Sequence, residues 1–363
     1  MDTARQFKPE TILLWRKVAD EPEAQRILNL FPCASVKIIE QQRYIPEAIC
    51  AGKALVAGKR ILMIGQTQQF VNRFDGQPGE NVRCLPYHKL VPISNGCPYY
   101  CAYCYLAFVY RKYSPFIKIN INYDLMFSQI RKALKQNSGF ISFNMGEMQD
   151  SLALDHITGL SQMLVPFFGS LSNGYLMLLT KSSNVENLLS LEPNDRTVVS
   201  WSLNCEHNVK YFEKGTAGLN ERIAAAKACQ KHGYRIRFRI DPGILYPDWR
   251  AGYAELIDMI FKHTQPENIT LGMLRLLPGH PQLAQAAYGT SVKKMFQFTA
   301  SERGADFKIR YNPQDRIEFY KFVVDTIRQY DKEVSISLCR ETPQIWQALS
   351  SRCDFGKCNC LVW

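Results

Sequence analysis

From residue 86 onward the sequence alternates between strand-like and helix-like stretches, and this alternation limits the fold more than any other feature. YHKLVPI (87–93) reads as a strand, YDLMFSQIRKALKQ (123–136) as an amphipathic helix and GFISF (139–143) as the next strand. The pattern continues with SLALDHITGLSQML, YLMLLT, VENLLSL, TVVSWSLN, LNERIAAAKACQKHG, YRIRFRIDPG, WRAGYAELIDMIFKH and ITLGMLRLLP, the fourth helix closing at Gly233. Six strand-plus-connection units predict an α/β fold with a parallel sheet and right-handed crossovers. The apolar strands suit burial on both faces. A partial (β/α)6 barrel fits this rhythm, and a doubly wound open sheet competes with it. Residues 86–290 form this unit. Residues 1–85 read as an N-terminal α/β extension, with a helix over 10–31 and a strand at KRILMIGQ. Residues 291–363 form a Cys-rich C-terminal extension with room for an auxiliary metal site.

The chain has 363 residues, 46% of them hydrophobic, enough for a sizeable core. No apolar run reaches the ~18–20 residues of a membrane helix. MDTARQFKPETILLWRK lacks the apolar stretch and cleavage site of a secretory signal. These features exclude a membrane-spanning class and predict a cytoplasmic protein. The net charge of +11 attracts phosphate polyanions, which makes DNA an expected partner.

In a barrel of this kind the chemistry collects at the C-terminal ends of the strands. There the sequence places a cysteine loop, the segment NMGEMQD (144–150), Thr180 and Lys181, Asn204 and Cys205, and Asp241 to Gly243. The loop NGCPYYCAYCYLAF sets Cys97, Cys101 and Cys104 within eight residues. In a reducing compartment, clustered cysteines are metal ligands or catalysts rather than disulfides. A structural zinc site takes four ligands, and this loop has three. Three thiolates on a [4Fe–4S] cube leave one iron open, able to chelate the amino and carboxylate groups of S-adenosyl-L-methionine (SAM).

A CxxxCxxC loop after the first strand of a βα series, with an aromatic at Tyr103, resembles the radical SAM superfamily. NMGEMQD resembles that superfamily's Gly-Glu motif, in which Gly146 allows close backbone approach and Glu147 meets the methionyl ammonium. Several stretches are more specifically similar to spore photoproduct lyase and its relatives, which revert a methylene-linked thymine dimer in DNA. They are SNGCPYYCAYCYL, DSLALDHIT, LLTKSSNVENLL, WSLN and YFEKGTAGLNERIAAAKACQKHGY. This resemblance implies that Cys97, Cys101 and Cys104 hold a [4Fe–4S] cluster. It implies that Lys181, Ser202 and Asn204 contact SAM or shape its pocket, and that Tyr103 and Tyr105 belong to a hydrogen-transfer relay. An electron donor such as flavodoxin or ferredoxin would be a partner.

The sequence departs from that family in two places. The cysteine hydrogen-atom donor expected in the NMGEMQD region is missing, and Cys205, at the end of the fourth strand, is the candidate replacement. The family's lesion-reading hairpin has only an uncertain counterpart in the basic, aromatic segment FKIRYNPQDRIEFYK (307–321).

SLCRETPQIWQALSSRCDFGKCNCLVW adds Cys339, Cys353, Cys358 and Cys360. Four soft ligands in a compact tail could hold a second [4Fe–4S] cluster or a zinc ion, or no metal. The remaining cysteines, Cys33, Cys50, Cys84, Cys205 and Cys229, read by default as buried thiols. Three functions remain open at this point. One is a radical SAM lyase acting on a thymine-derived lesion. The second is a radical SAM maturase acting on a precursor peptide with a recognition protein. The third is a non-enzymatic metal protein that binds DNA.

Overall fold

The computed structural model describes residues 7–42, 51–76, 82–94, 97–110, 116–289, 301–304 and 306–363. Its main sheet has seven parallel strands: β1 (Tyr87–Leu90), β2 (Ile141–Asn144), β3 (Gly174–Thr180), β4 (Thr197–Ser202), β5 (Arg235–Gly243), β6 (Asn268–Met273) and β7 (Ser335–Leu338). They lie side by side in chain order, with Val71–Phe74 antiparallel along β1 at one edge. A doubly wound sheet reverses its strand order at a switch point, and this sheet does not. The first six strands are those the rhythm predicts. The seventh, from EVSISLC, pairs with β6 and extends the same sheet into the C-terminal region.

The crossover helices form where the apolar spacing is helical. Tyr123–Lys135 buries Met126, Ile130, Ala133 and Leu134. Leu219–His232 ends at Gly233, whose φ of 115° is a left-handed cap that a side chain would strain. One continuous core runs beneath them and includes Phe143, Phe168, Trp201, Phe238, Tyr253 and Phe319, all sealed from solvent. Each such side chain contributes about 1.5–3 kcal/mol by burial.

The N-terminal region differs from the expectation of a helix over 10–31. Thr11–Trp15 is a strand, and the helix is only Pro22–Asn29, started by a proline in its first turn. A short apolar run such as TILLW does not reveal its type by periodicity. Here parallel strands on both sides, Ser35–Ile39 and Ile61–Gly65, make it an interior strand of a second sheet. That sheet also takes Ile117–Asn120 and Ile93–Ser94 from beyond residue 86.

The strands are not apolar on both faces. Ser142, Ser200, Arg237, Thr270 and Ser337 share a buried polar inner face. The C-terminal tail lies across it. The Val362 N–H donates to Ser142 Oγ (2.7 Å), Ser200 Oγ donates to Asn359 Oδ1 (2.7 Å) and the Asn359 N–H donates to Thr270 Oγ1 (3.0 Å). Arg237 donates to the Leu361 carbonyl (2.6 Å) and stacks on Trp363, 3.7 Å from its ring centre. Buried polar groups are paired as a rule, and the tail provides the pairing for Ser142, Ser200 and part of Arg237, while Ser337 bonds to Thr270. No helix among the described residues is long and apolar enough to cross a membrane.

Candidate active site at the strand ends

Three separate segments hold the cysteine loop. Tyr100 and Cys101 form a two-residue antiparallel pairing with Lys214 and Glu213. The Ala102 N–H donates to the Phe212 carbonyl (2.8 Å), and the Ala102 carbonyl meets His280 Nε2 (3.0 Å). Lys59 Nζ, from the N-terminal region, donates to the Cys97 carbonyl (3.2 Å). Cys97, Cys101 and Cys104 are free thiols packed in one small cluster with Tyr99, Tyr103 and Ala153. Burial pushes the Cys97 thiol up to about 12, with Lys59 opposing and Cys104 adding to the rise. Burial and the nearby Glu213 carboxylate push Cys101 well above its ordinary value. Thiols grouped in this way give up their protons when a metal binds.

Glu213 organises the neighbouring side chains. It forms an ion pair with Arg222 at 2.7 Å, and neither side chain is exposed. The Tyr103 hydroxyl donates to it, and Lys181 Nζ stands 3.9 Å away while donating to Ser202 Oγ. Burial alone would raise the Glu213 carboxyl, but Arg222 and Lys181 outweigh it and hold it below the usual carboxylate range. Arg222 also donates to the Ser202 carbonyl (2.9 Å). Expected residues Tyr103, Lys181 and Ser202 thus meet beside Cys101. Glu213 and Arg222 were not singled out from the sequence.

Asp150 fixes the loop after β2. It accepts from the backbone N–H groups of Leu152 (3.0 Å), Ala153 (2.9 Å) and Lys181 (2.7 Å), and from Thr180 Oγ1 (2.6 Å). Gly146 is pressed against β3, and a Cβ there would lie 2.6 Å from the Leu179 carbonyl oxygen. The next two residues diverge. Met148 Sδ lies 4.0 Å from the Tyr105 hydroxyl, while Glu147 pairs with Arg239 and accepts from Cys360 Sγ at 3.4 Å. Burial works to raise Glu147, but Arg239 and Arg340 hold it below the ordinary range.

Asn204 is fully engaged inside the protein. It donates to the Pro242 carbonyl (2.8 Å) and accepts from Asn208 and Tyr253, both at 3.0 Å. Cys205 is buried beside it, and burial pushes its thiol up to about 11 against a hydrogen bond with Tyr246.

The C-terminal cysteines do not all gather. Cys339, Cys358 and Cys360 line one cavity with Glu147, Arg239 and Arg340, and the fourth cysteine there is Cys84. Cys353 is absent from that lining and packs against the core, near Arg328 and Arg352. The expected quartet therefore loses Cys353 and gains a thiol that reads from sequence as inert. Of the other scattered cysteines, Cys205 and Cys229 are buried and Cys33 is exposed, while Cys50 lies outside the described residues. Among the described residues, no three His, Cys, Asp or Glu side chains are positioned to share a single metal ion.

Residues 301–304 and 306–311 include two strands of a hairpin late in the chain. Ser301–Arg303 pairs antiparallel with Ile309–Tyr311, which also pairs with Arg275–Leu276. Phe307 is 65% exposed near its turn, and Lys308 lies over the Tyr105 ring.

Known proteins share the sequence pattern and the fold of this chain. The spore photoproduct lyase family model matches residues 57–307. The spore photoproduct lyase of Bacillus subtilis (strain 168) is 26% identical over 259 residues, 70% of this chain and 73% of that protein. The Clostridium acetobutylicum enzyme is 25% identical over 254 residues, 68% of this chain and 72% of that protein. A solved spore photoproduct lyase complexed with dinucleoside spore photoproduct superposes with a TM-score of 0.79 at 20% identity, covering 92% of this chain and 99% of that one. A mutant of it with bound AdoMet and the same dinucleoside gives 0.78 at 20% identity, over 91% and 98%. With a family match that takes in the cysteine loop and the first six parallel strands, the chain belongs to the spore photoproduct lyase family of radical SAM enzymes.

Proposed function

We propose that this protein binds a [4Fe–4S] cluster at Cys97, Cys101 and Cys104, binds SAM beside it, and acts on a thymine-derived lesion in DNA by cleaving a C–C bond. The observation that carries the reading is the Cys101–Glu213 pairing, which gathers Tyr103, Lys181 and Ser202 at the cysteine loop. The main sheet is read as the partial barrel of the superfamily, extended by β7, and the chain-order run of strands supports this.

The residues suit the cluster. Three free thiols from one loop face Lys59 and Lys181, cations that compensate a negatively charged centre. A mononuclear site draws its ligands onto one ion at about 2.3 Å, whereas a cube sets each thiolate on its own iron and needs them farther apart. When bound, the cluster and SAM would supply a 5′-deoxyadenosyl radical for hydrogen abstraction.

The chain's own residues bind, orient and enclose. Gly146 allows the β2 loop to approach closely, and Lys181 and Ser202 present polar groups to SAM. Asn204, engaged internally, shapes the pocket without a free polar atom to offer. Glu147 is held by Arg239, so it would meet the SAM amine only by exchanging that partner. Tyr103 is fixed on Glu213, while Tyr105 is 41% exposed and stands nearer to incoming substrate as a relay. Cys205 is a weaker candidate donor because its thiol is buried among Asn204 and Tyr246. Phe307 and Lys308 on the late hairpin suit stacking on a base and contact with a phosphate. The relatives' DNA-lesion activity and the charge of +11 support a nucleic-acid substrate in the cytoplasm, with a flavodoxin or ferredoxin as reductant.

Anaerobically reconstituted protein tests the proposal with SAM, dithionite and ultraviolet-irradiated thymine-containing oligonucleotide. The expected result is 5′-deoxyadenosine together with loss of the lesion in mass spectra. Deoxyadenosine with the lesion untouched would shift the substrate to a peptide. No deoxyadenosine from cluster-loaded protein would overturn the enzyme reading.

A further inference from the structure

Cys84, Cys339, Cys358 and Cys360 line one cavity, although they come from three distant parts of the chain. Each part is fixed by bonds that do not involve sulfur. The Arg83 N–H donates to the Glu341 carbonyl (2.9 Å), joining the Cys84 segment to the residues after Cys339. The Cys339 N–H donates to the Leu271 carbonyl (2.6 Å), continuing the β7 pairing. Asn359, between the last two cysteines, is held by Ser200 and Thr270 on the inner face of the sheet. The backbone thus brings four thiols to one place before any ligand is considered.

The lining suits a negatively charged centre made of thiolates. Arg239 donates to Cys339 Sγ at 2.9 Å, and Arg275 approaches the same sulfur at 3.8 Å. Arg83 and Arg340 line the remaining wall. Guanidinium N–H groups aimed at sulfur both neutralise and tune a cluster. No three of these side chains are positioned to share one ion, so a single zinc ion fits poorly, whereas a cube sets each thiolate on its own iron. Four soft thiolates without imidazole, with the one lining carboxylate, Glu147, taken up by Arg239, favour an iron–sulfur centre.

We propose that this cavity holds a second [4Fe–4S] cluster ligated by Cys84, Cys339, Cys358 and Cys360, with Cys353 outside the ligand set. The inference deepens the iron–sulfur reading above but does not require that the first loop cleave SAM. Four cysteine ligands leave no open iron, so this cluster clips the tail onto the sheet and does not bind substrate. Glu147, paired with Arg239 at its edge, connects the clip to the loop after β2.

The test uses the full chain with Cys97→Ala, Cys101→Ala and Cys104→Ala combined, reconstituted anaerobically with iron and sulfide. About four irons and four sulfides per chain are expected to remain, with a cubane signature in Mössbauer spectra. Adding Cys84→Ser removes them, and adding Cys353→Ser does not. No retained cluster, zinc in place of iron, or loss on Cys353→Ser but not on Cys84→Ser each overturns the proposal. If Cys84→Ser fails to fold, as judged by circular dichroism, the iron count of the unaltered protein decides. About eight irons per chain support the second cluster, and about four overturn it. SAM cleavage by the unaltered protein is measured separately, so loss of the radical reading and loss of this cluster are distinct results.

Discussion

Glu147 and Met148 are neighbours in the chain and turn to opposite cysteine groups. Glu147 pairs with Arg239 and meets Cys360, whereas Met148 lies against Tyr105, one residue past Cys104. The divergence depends on Gly146, which lets the loop press against Leu179. Gly146→Ala puts a methyl 2.6 Å from a carbonyl oxygen that cannot move without distorting β3. The expected cost is about 1–3 kcal/mol of stability, with SAM binding weakened as the loop shifts. Urea unfolding and SAM titration check both, and an unchanged SAM affinity would remove the loop from the site.

The buried Glu213–Arg222 pair predicts an asymmetric mutational result. Arg222→Met leaves the Glu213 carboxylate buried and short of its main partner, at an expected cost of about 3–5 kcal/mol. Adding Glu213→Gln removes the stranded charge and recovers part of that loss. A double-mutant cycle in urea measures the coupling, and additive effects would show that the pair does not hold the cysteine loop.

Much of the main sheet is legible in the sequence because a crossover helix such as Tyr123–Lys135 has a clear apolar stripe and a strand such as Gly174–Thr180 is a short apolar run between turns. The N-terminal strand Thr11–Trp15 is not, because its type is decided by strands that arrive from residues 35 and 61. The cysteine loop announces itself by spacing. Glu213 does not, because its partnership with Tyr103 joins residues 110 apart and leaves no local pattern. Cys84 reads as a lone thiol for the same reason. The polar inner face of Ser142, Ser200, Arg237, Thr270 and Ser337 is missed, because the strands read as apolar on both faces. The tail that pairs with it carries no periodic signal.

Tyr103 and Tyr105 flank Cys104 but differ in setting, so their phenylalanine variants separate. Tyr105→Phe changes a half-exposed side chain and should alter stability by less than about 0.5 kcal/mol. A relay role predicts that it still forms 5′-deoxyadenosine while lesion repair per deoxyadenosine falls. Tyr103→Phe removes a hydrogen bond to a buried carboxylate and should cost about 1.5–3 kcal/mol. Equal coupling of the two products in Tyr105→Phe and unaltered protein would exclude Tyr105 from the relay.

The late hairpin carries its own acid sensitivity. Arg310 donates to both oxygens of Asp306, each at 2.6 Å. Burial would raise the Asp306 carboxyl, but these bonds and the Arg310 charge bring it below the ordinary range. A carboxyl depressed in the folded state adds stability that is fully present above its unfolded pKa, about 3.9. That stability is lost as pH falls through the lower folded value. Amide exchange in Ser301–Arg303 and Ile309–Tyr311, corrected for intrinsic rates, should therefore accelerate between about pH 5 and pH 2. Asp306→Asn should leave the hairpin less protected at neutral pH and flatten that dependence. A hairpin equally protected across the range would mean that the Asp306–Arg310 pair does not hold it, and Phe307 would then need another anchor for its exposed position.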